Sequence, residues 1–181
     1  MQAPAQSEYD PFYATYIDSI PGRPILELLA EAPVALAQLL APVTPEGERY
    51  AYARGKWTLR EVVGHVIDAE RLFAYRALHF ARSDPAELPG IDQEIWARSS
   101  KASERSLADL LAEFKSLRDA NTALFGSFDE ETLDRRGVAS GVEFTVRALI
   151  YVIVGHEIHH RGILRRLYLE PLATAGEPHR G

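Results

Sequence analysis

Between Thr145 and Pro171 the chain places Val146, Leu149, Ile150, Ile153, Ile163, Leu164 and Leu167 at the spacing of one helix face. This stripe is the strongest constraint on the fold, because a helix that is apolar along one face must bury that face against another element. The same period recurs in three further stretches. Ile25, Leu28, Leu29, Leu36, Leu39 and Leu40 form one stripe; Val62, Ala69, Leu72 and Phe80 form another; Leu107, Leu110, Leu111, Phe114, Leu117, Leu124 and Phe125 form the last. Strand signals are nearly absent. Four long amphipathic helices in 181 residues predict an all-α four-helix bundle with short extra helices and long loops.

Local signals set the boundaries. Tyr9, Phe12, Tyr13, Tyr16, Ile17 and Ile20 predict a helical opening segment, broken by "PGRP". Pro24 can open the next helix at its first turn, and Pro33 should kink it. "APVTPEGERYAYARGK" reads as a loop. "TLRE" is a capping box in which Thr58 caps the following helix and Glu61 reaches back to it. That helix is expected to end near Ala81 or Arg82. "SDPAELPGIDQ" is then a loop, with a turn of helix around Ile95 and Trp96, and "DRRGVASGVEF" is a loop or small hairpin at two glycines. Thr145 is the expected cap of the last helix and Pro171 its expected end. The whole chain, 1–181, is expected to form one domain, with an ordered core over about 8–170 and a mobile tail over 172–181.

Composition excludes some chemistry. There is no cysteine, hence no disulfide, thiolate ligand or cysteine nucleophile, and any thiol must come from outside. The formal net charge of −6 argues against a nucleic-acid partner. No apolar run approaches the roughly 20 residues of a membrane span. The opening "MQAPAQSEYD" has no signal-peptide pattern, so a cytoplasmic location is the expectation.

The histidines then stand out. His156 and His160 differ by about 40° around the helix and by one turn along it. Both fall near the middle of the stripe that holds Leu149, Ile153, Ile163 and Leu167. Two imidazoles on one inward face can chelate a single cation, and burying both without partners costs free energy. The alternative is a pair of hydrogen-bonded core histidines. His159 lies about 60° to the other side of His156, at the edge of the stripe, and is the weaker ligand candidate. A third ligand is best supplied by His65, early on the Thr58-capped helix. His79 shares that flank but lies about 21 Å further along, too far to join the same sphere. His179 belongs to the tail.

His156-Glu157-Ile158-His159-His160 also spells the H-E-x-x-H of zinc metalloproteases. The downstream residues do not support that reading. "RGILR" follows His160 without the H-x-x-G-x-x-H continuation, and only Glu170 and Glu177 remain, with no room for another helix.

The segments "KWTLREVVGHVIDAERLFAYRALHFARSD", "LPGIDQEIWA" and "VRALIYVIVGHEIHHRGILRRLYLEP" resemble the DinB/YfiT-like superfamily, and the similarity extends over nearly the whole chain. The resemblance implies a four-helix bundle, often dimeric, with a divalent metal held by three histidines. "GHVIDAE" would supply His65, and "GHEIHH" His156 and His160. It implies zinc or nickel as the metal, and all-imidazole ligation suits either. It further implies a small-molecule substrate and a homodimer. Some such relatives transfer a low-molecular-weight thiol such as bacillithiol, and others are regarded as metal-dependent hydrolases. Thiol transfer to small electrophiles is the preferred expectation here. Hydrolysis by activated water, a non-catalytic metal-binding or interaction bundle, and a metal-free bundle with core histidines are the alternatives.

Further candidates flank this trio. Arg76 lies about three turns beyond His65 on nearly the same face. It could hold a carboxylate of a thiol cofactor or assist catalysis, with an ion pair to Asp or Glu as the favoured reading. Asp92 could lie over the pocket or cap a short helix. Glu157 could act as a base or orient a ligand, with a solvated or ion-paired role favoured. Asp68, one turn after His65, could receive a ligand N–H or face solvent. Trp57 and Trp96 are read as packing residues.

Overall fold

The computed structural model describes residues 1–175 and carries side-chain detail to residue 173. Its helices are α1 (Ala14–Ile17), α2 (Ile25–Leu40), α3 (Leu59–Ala81), α4 (Gln93–Ser99), α5 (Leu107–Gly126), α6 (Glu130–Asp134), α7 (Val146–Ile163) and α8 (Glu170–Ala175). One hairpin, β1 (Arg136–Ala139) and β2 (Val142–Thr145), pairs antiparallel ahead of α7. The four long helices α2, α3, α5 and α7 form the bundle. Their order around it is α2, α5, α3, α7, so that α2 and α3, consecutive in sequence, sit on a diagonal.

The caps behave as their residues dictate. The Thr58 hydroxyl accepts from the Glu61 N–H, and Glu61 Oε2 accepts from the Thr58 N–H at 2.7 Å. Thr145 Oγ1 accepts from the Ala148 N–H at 3.0 Å and starts α7. The hairpin turns at Ser140 and Gly141, both with positive φ. Helix α2 runs on through Pro33, whose ring is buried.

Two buried clusters make up the core. One joins the second half of α3 (Phe73, Ala77, Phe80) to the first half of α7 (Leu149, Ile150, Ile153). The other joins the first half of α3 (Leu59, Val63, Val66, Ile67) to Leu164 and Tyr168 beyond α7, with Leu36, Leu110 and Phe114. Helices α3 and α7 are therefore antiparallel. Each fully buried Leu, Ile or Phe contributes about 1.5–3 kcal/mol relative to exposure. His65, His156 and His160 fall at the seam, where one cluster gives way to the other.

Two expectations are corrected. The opening segment is not one helix but two 3-10 turns, Gln6–Glu8 and Pro11–Tyr13, followed by the short α1. Asp10 and Pro11 impose the break, since Asp10 accepts from the Phe12 N–H and caps a new turn. Pro171 does not end the last helix. Residues Leu164–Leu169 are π-helical, and the wider turn carries the chain into α8 with Pro171 in its first turn, where a missing N–H is tolerated. Residues 172–175, expected in a mobile tail, are thus helical; residues 176–181, with His179, lie outside the described residues.

Candidate metal centre

Two glycines let neighbouring segments close on the histidines. Both histidine helices carry Gly-His, at Gly64-His65 and Gly155-His156. A Cβ on Gly64 would come 2.6 Å from Ala102 Cβ, and one on Gly155 would overlap the Tyr16 carbonyl. The 3-10 turn Ala102–Glu104 and helix α1 are therefore pressed against α3 and α7 beside the ligand candidates.

His65, His156 and His160 each offer a ring nitrogen, and the three nitrogens lie within 4.8 Å of one another. His65 Nε2 and His156 Nε2 are 3.2 Å apart. Two nitrogens bound at about 2.0–2.1 Å to one tetrahedral zinc lie about 3.3 Å apart, so this pair already has the spacing of two ligands on one ion. His160 Nδ1 is buried with no hydrogen-bond partner among the described residues. The donor set fits a divalent ion that accepts imidazole nitrogen.

The electrostatics favour neutral rings. Burial, reinforced by the neighbouring histidines, holds His156 well below the ordinary histidine range. Burial also pushes His65 down to about 4, and burial with His65 and His159 nearby pushes His160 down to about 3. Near neutral pH all three are unprotonated, which is the form that binds a metal.

Two cavities meet at the trio. The larger, 310 Å³, has His65 and His156 in its wall with Tyr13, Tyr16, Phe73 and Trp96, and Arg76 lines it as well. The smaller, 260 Å³, has His160 in its wall with Trp57, Lys56, Tyr52 and Tyr168. Gln93, the first residue of α4, lines both.

The other candidates are placed as follows. Arg76 is buried and faces the larger cavity, and the favoured ion pair is absent: its Nη2 donates to Pro89 O and Ser140 Oγ, both uncharged. Of the acids on α3 nearest in sequence, Glu70 is bonded to Arg118 and Asn121, and Asp68 lines the same cavity without pairing with Arg76. Asp92 caps α4, accepting from Glu94 N and Ile95 N at 2.8 and 3.1 Å, and does not line either cavity. Glu157 is buried away from both cavities and lies 3.4 Å from Arg161, so it is ion-paired but not solvated. Burial, only partly offset by Arg161, raises its pKa. Asp68 lines the larger cavity without a bond to His65, lies 3.9 Å from Arg71, and is raised by burial. His159 is exposed, its ring 5.3 Å from Tyr16. His79 bonds Ala86 O at 2.9 Å, remote from the trio. Trp57 packs against the core and lines the smaller cavity, its ring tilted at 47° and 4.8 Å from that of His65, whereas Trp96, expected to pack, is exposed and lines the larger cavity.

Sequence reasoning passed over Tyr13, Tyr16, Gln93 and Ser140. The aromatic run from Phe12 to Tyr16 was visible as an apolar face, but spacing does not distinguish a core face from a cavity wall. Gln93 and Ser140 carry no local signal.

A sequence model of the DinB superfamily matches residues 28–164, which contain the three histidines and Arg76. The chain belongs to the DinB superfamily. Among solved structures, Bacillus subtilis YfiT is similar with a TM-score of 0.72 and 20% identity, over 94% of this chain and 93% of that one. YfiT is described as a probable metal-dependent hydrolase with an unusual four-helix bundle topology. A second Bacillus subtilis structure, the DinB-like protein YjoA, is similar with a TM-score of 0.58 and 21% identity, over 86% and 93% of the two chains. No curated protein matches the sequence. The DinB bundle is thus shared, and no helix among the described residues is long and apolar enough to cross a membrane.

Proposed function

We propose that this DinB-superfamily protein is a metal-dependent enzyme in which His65, His156 and His160 hold the ion, and that it transfers a low-molecular-weight thiol to a small electrophile. The observation that carries this reading is the pair of cavities meeting at one histidine trio. Two adjoining cavities can seat two organic molecules, one on each side of the trio. The absence of cysteine is consistent, because the sulfur arrives with the cosubstrate.

A divalent ion there, zinc or nickel, would supply a Lewis acid that favours the deprotonated form of a thiol or water at neutral pH. The chain's residues do the rest. The histidines stay neutral and keep their nitrogens directed at one point. The aromatic walls of Tyr13, Tyr16, Phe73 and Trp96 give the larger cavity an apolar lining that orients the electrophile. In the transfer, sulfur forms a bond to the electrophilic carbon, the leaving group departs with its electron pair, and the thiol proton passes to solvent.

Hydrolysis is the second reading, favoured by the likeness to YfiT and its description. Metal-loaded protein is assayed with a model electrophile such as chlorodinitrobenzene, with and without bacillithiol, mycothiol or glutathione. Thiol-dependent product is expected; turnover without any thiol would point to the hydrolase. Metal analysis of untagged protein is expected to give one ion per chain and none for His156→Ala. Full retention of metal by that variant would remove the site.

A further inference from the structure

Arg76 presents an unusual combination. It is 2% exposed, yet no carboxylate pairs with it among the described residues. Its Nη2 bonds to Ser140 Oγ at 2.7 Å and Pro89 O at 3.1 Å, and the Tyr13 phenol also faces the guanidinium; all are neutral groups, and Nε is buried with no partner among the described residues. A guanidinium taken out of water without a counter-charge is costly, and the Phe73 ring 5.8 Å from Cζ offsets only part of that cost. The residue lines the larger cavity, so an incoming ligand can provide the missing charge.

We propose that the reactant taken by the larger cavity carries a carboxylate, and that Arg76 is the binding residue that receives it. This rests on the reading of the cavity as a reactant site and adds the class of reactant. Size and charge select the ligand. A cavity of 310 Å³ is at the small end of ligand pockets. Phe73 lies 5.8 Å from Arg76 Cζ and 6.2 Å from the His156 ring, so Arg76 Cζ and that ring are at most about 12 Å apart. One small molecule can therefore touch Arg76 with its anionic end and the histidine trio with its reactive end. Arg76 is the one formal cation among the described lining residues, since His65 and His156 are held neutral, and Asp68 also lines the wall. A single positive group suits a monoanion rather than a phosphate dianion, and Asp68, near His65, disfavours the reversed orientation. The fork of a guanidinium also matches a planar carboxylate. The walls of Tyr13, Phe73, Leu72 and Trp96 suit an aryl or alkyl body.

The test is binding, measured by calorimetry on the full-length metal-free protein, so that it is readable whatever becomes of the metal assignment. The probes are 3-phenylpropanoate, its neutral amide and phenyl phosphate. Wild type is expected to bind the carboxylate at least tenfold more tightly than the amide, and more tightly than the phosphate. Arg76→Gln is expected to abolish that preference while keeping its metal content. Arg76→Lys retains the charge without the fork and is expected to keep part of the preference; it is the variant to read if Arg76→Gln does not fold. Equal affinity for acid and amide, no binding of the acid, stronger binding of the phosphate, or an unchanged preference in the variants would each overturn the proposal. Loss of metal by His156→Ala with the carboxylate preference intact would support it independently of catalysis.

Discussion

Behind the histidine helix lies a second buried polar group. Glu70 Oε2 accepts from Arg118 Nε and Nη2 at 3.0 and 2.7 Å, and Glu70 Oε1 accepts from Asn121 Nδ2 at 2.9 Å. Both charged side chains are almost wholly enclosed. Removing one partner of such a pair leaves the other charge uncompensated, which costs about 3–5 kcal/mol. Glu70→Gln is therefore expected to lower the unfolding free energy by about that amount in urea titration; a loss below about 1 kcal/mol would mean that the interior rehydrates around Arg118. At this scale the sequence was unevenly legible. His156 and His160 were readable because helical geometry alone fixes residues four apart. The ion pair favoured for Arg76 is absent because its surroundings come from residues 13 and 64 positions further on, Pro89 and Ser140, brought in by a loop and a hairpin.

Helices α3 and α7 owe their placement to close approaches that side chains would forbid. A methyl on Gly155 would run into the Tyr16 carbonyl, and backbone cannot yield as a flexible side chain does. Gly155→Ala is expected to destabilise the protein by about 1–3 kcal/mol and to displace α1. Hydrogen exchange of residues 14–17 should rise more than that of α5, and equal changes in both would argue against a local displacement. The start of α3 and the start of α7 were legible from Thr58 and Thr145, because capping depends on neighbours within three residues. The far end of α7 was not. Pro171 reads as a terminator in a regular helix, and nothing in the sequence announces the π-helical turn that changes its register. The opening segment failed similarly, since its periodicity is real but Asp10 and Pro11 divide it into turns.

Across the molecule, the bundle was expected from four stripes, whereas the diagonal placement of α2 and α3 depends on long connections that spacing does not encode. The seam location of the histidines has a global consequence for acid stability. The three rings have folded pKa values below the ordinary 6.5, while the unfolded chain titrates near 6.5. Below that pH the unfolded state binds more protons, so stability falls as pH drops from about 6.5 toward the folded values of about 4 for His65 and about 3 for His160. Three such groups give a slope of up to about 4 kcal/mol per pH unit for metal-free protein. Glu157 acts in the opposite sense, since its folded pKa is raised. Denaturant titrations of the metal-free protein at pH 7 and pH 5 are expected to show the net loss; equal stability at both would mean that the rings are already solvated.

The closure of α1 over Gly155 bears on how such a protein can be retuned. Phe12, Tyr13 and Tyr16 wall the larger cavity, yet they precede the 28–164 region shared with the superfamily. The ligand histidines and the proposed anion receptor lie inside it. One wall of the cavity therefore comes from chain outside the matched region, while Leu72, Phe73, Arg76 and Trp96 on the facing side lie inside it, so the opening residues behave as an exchangeable faceplate over a fixed floor. Altering them offers a route to new substrate preference with the inherited chemistry left in place.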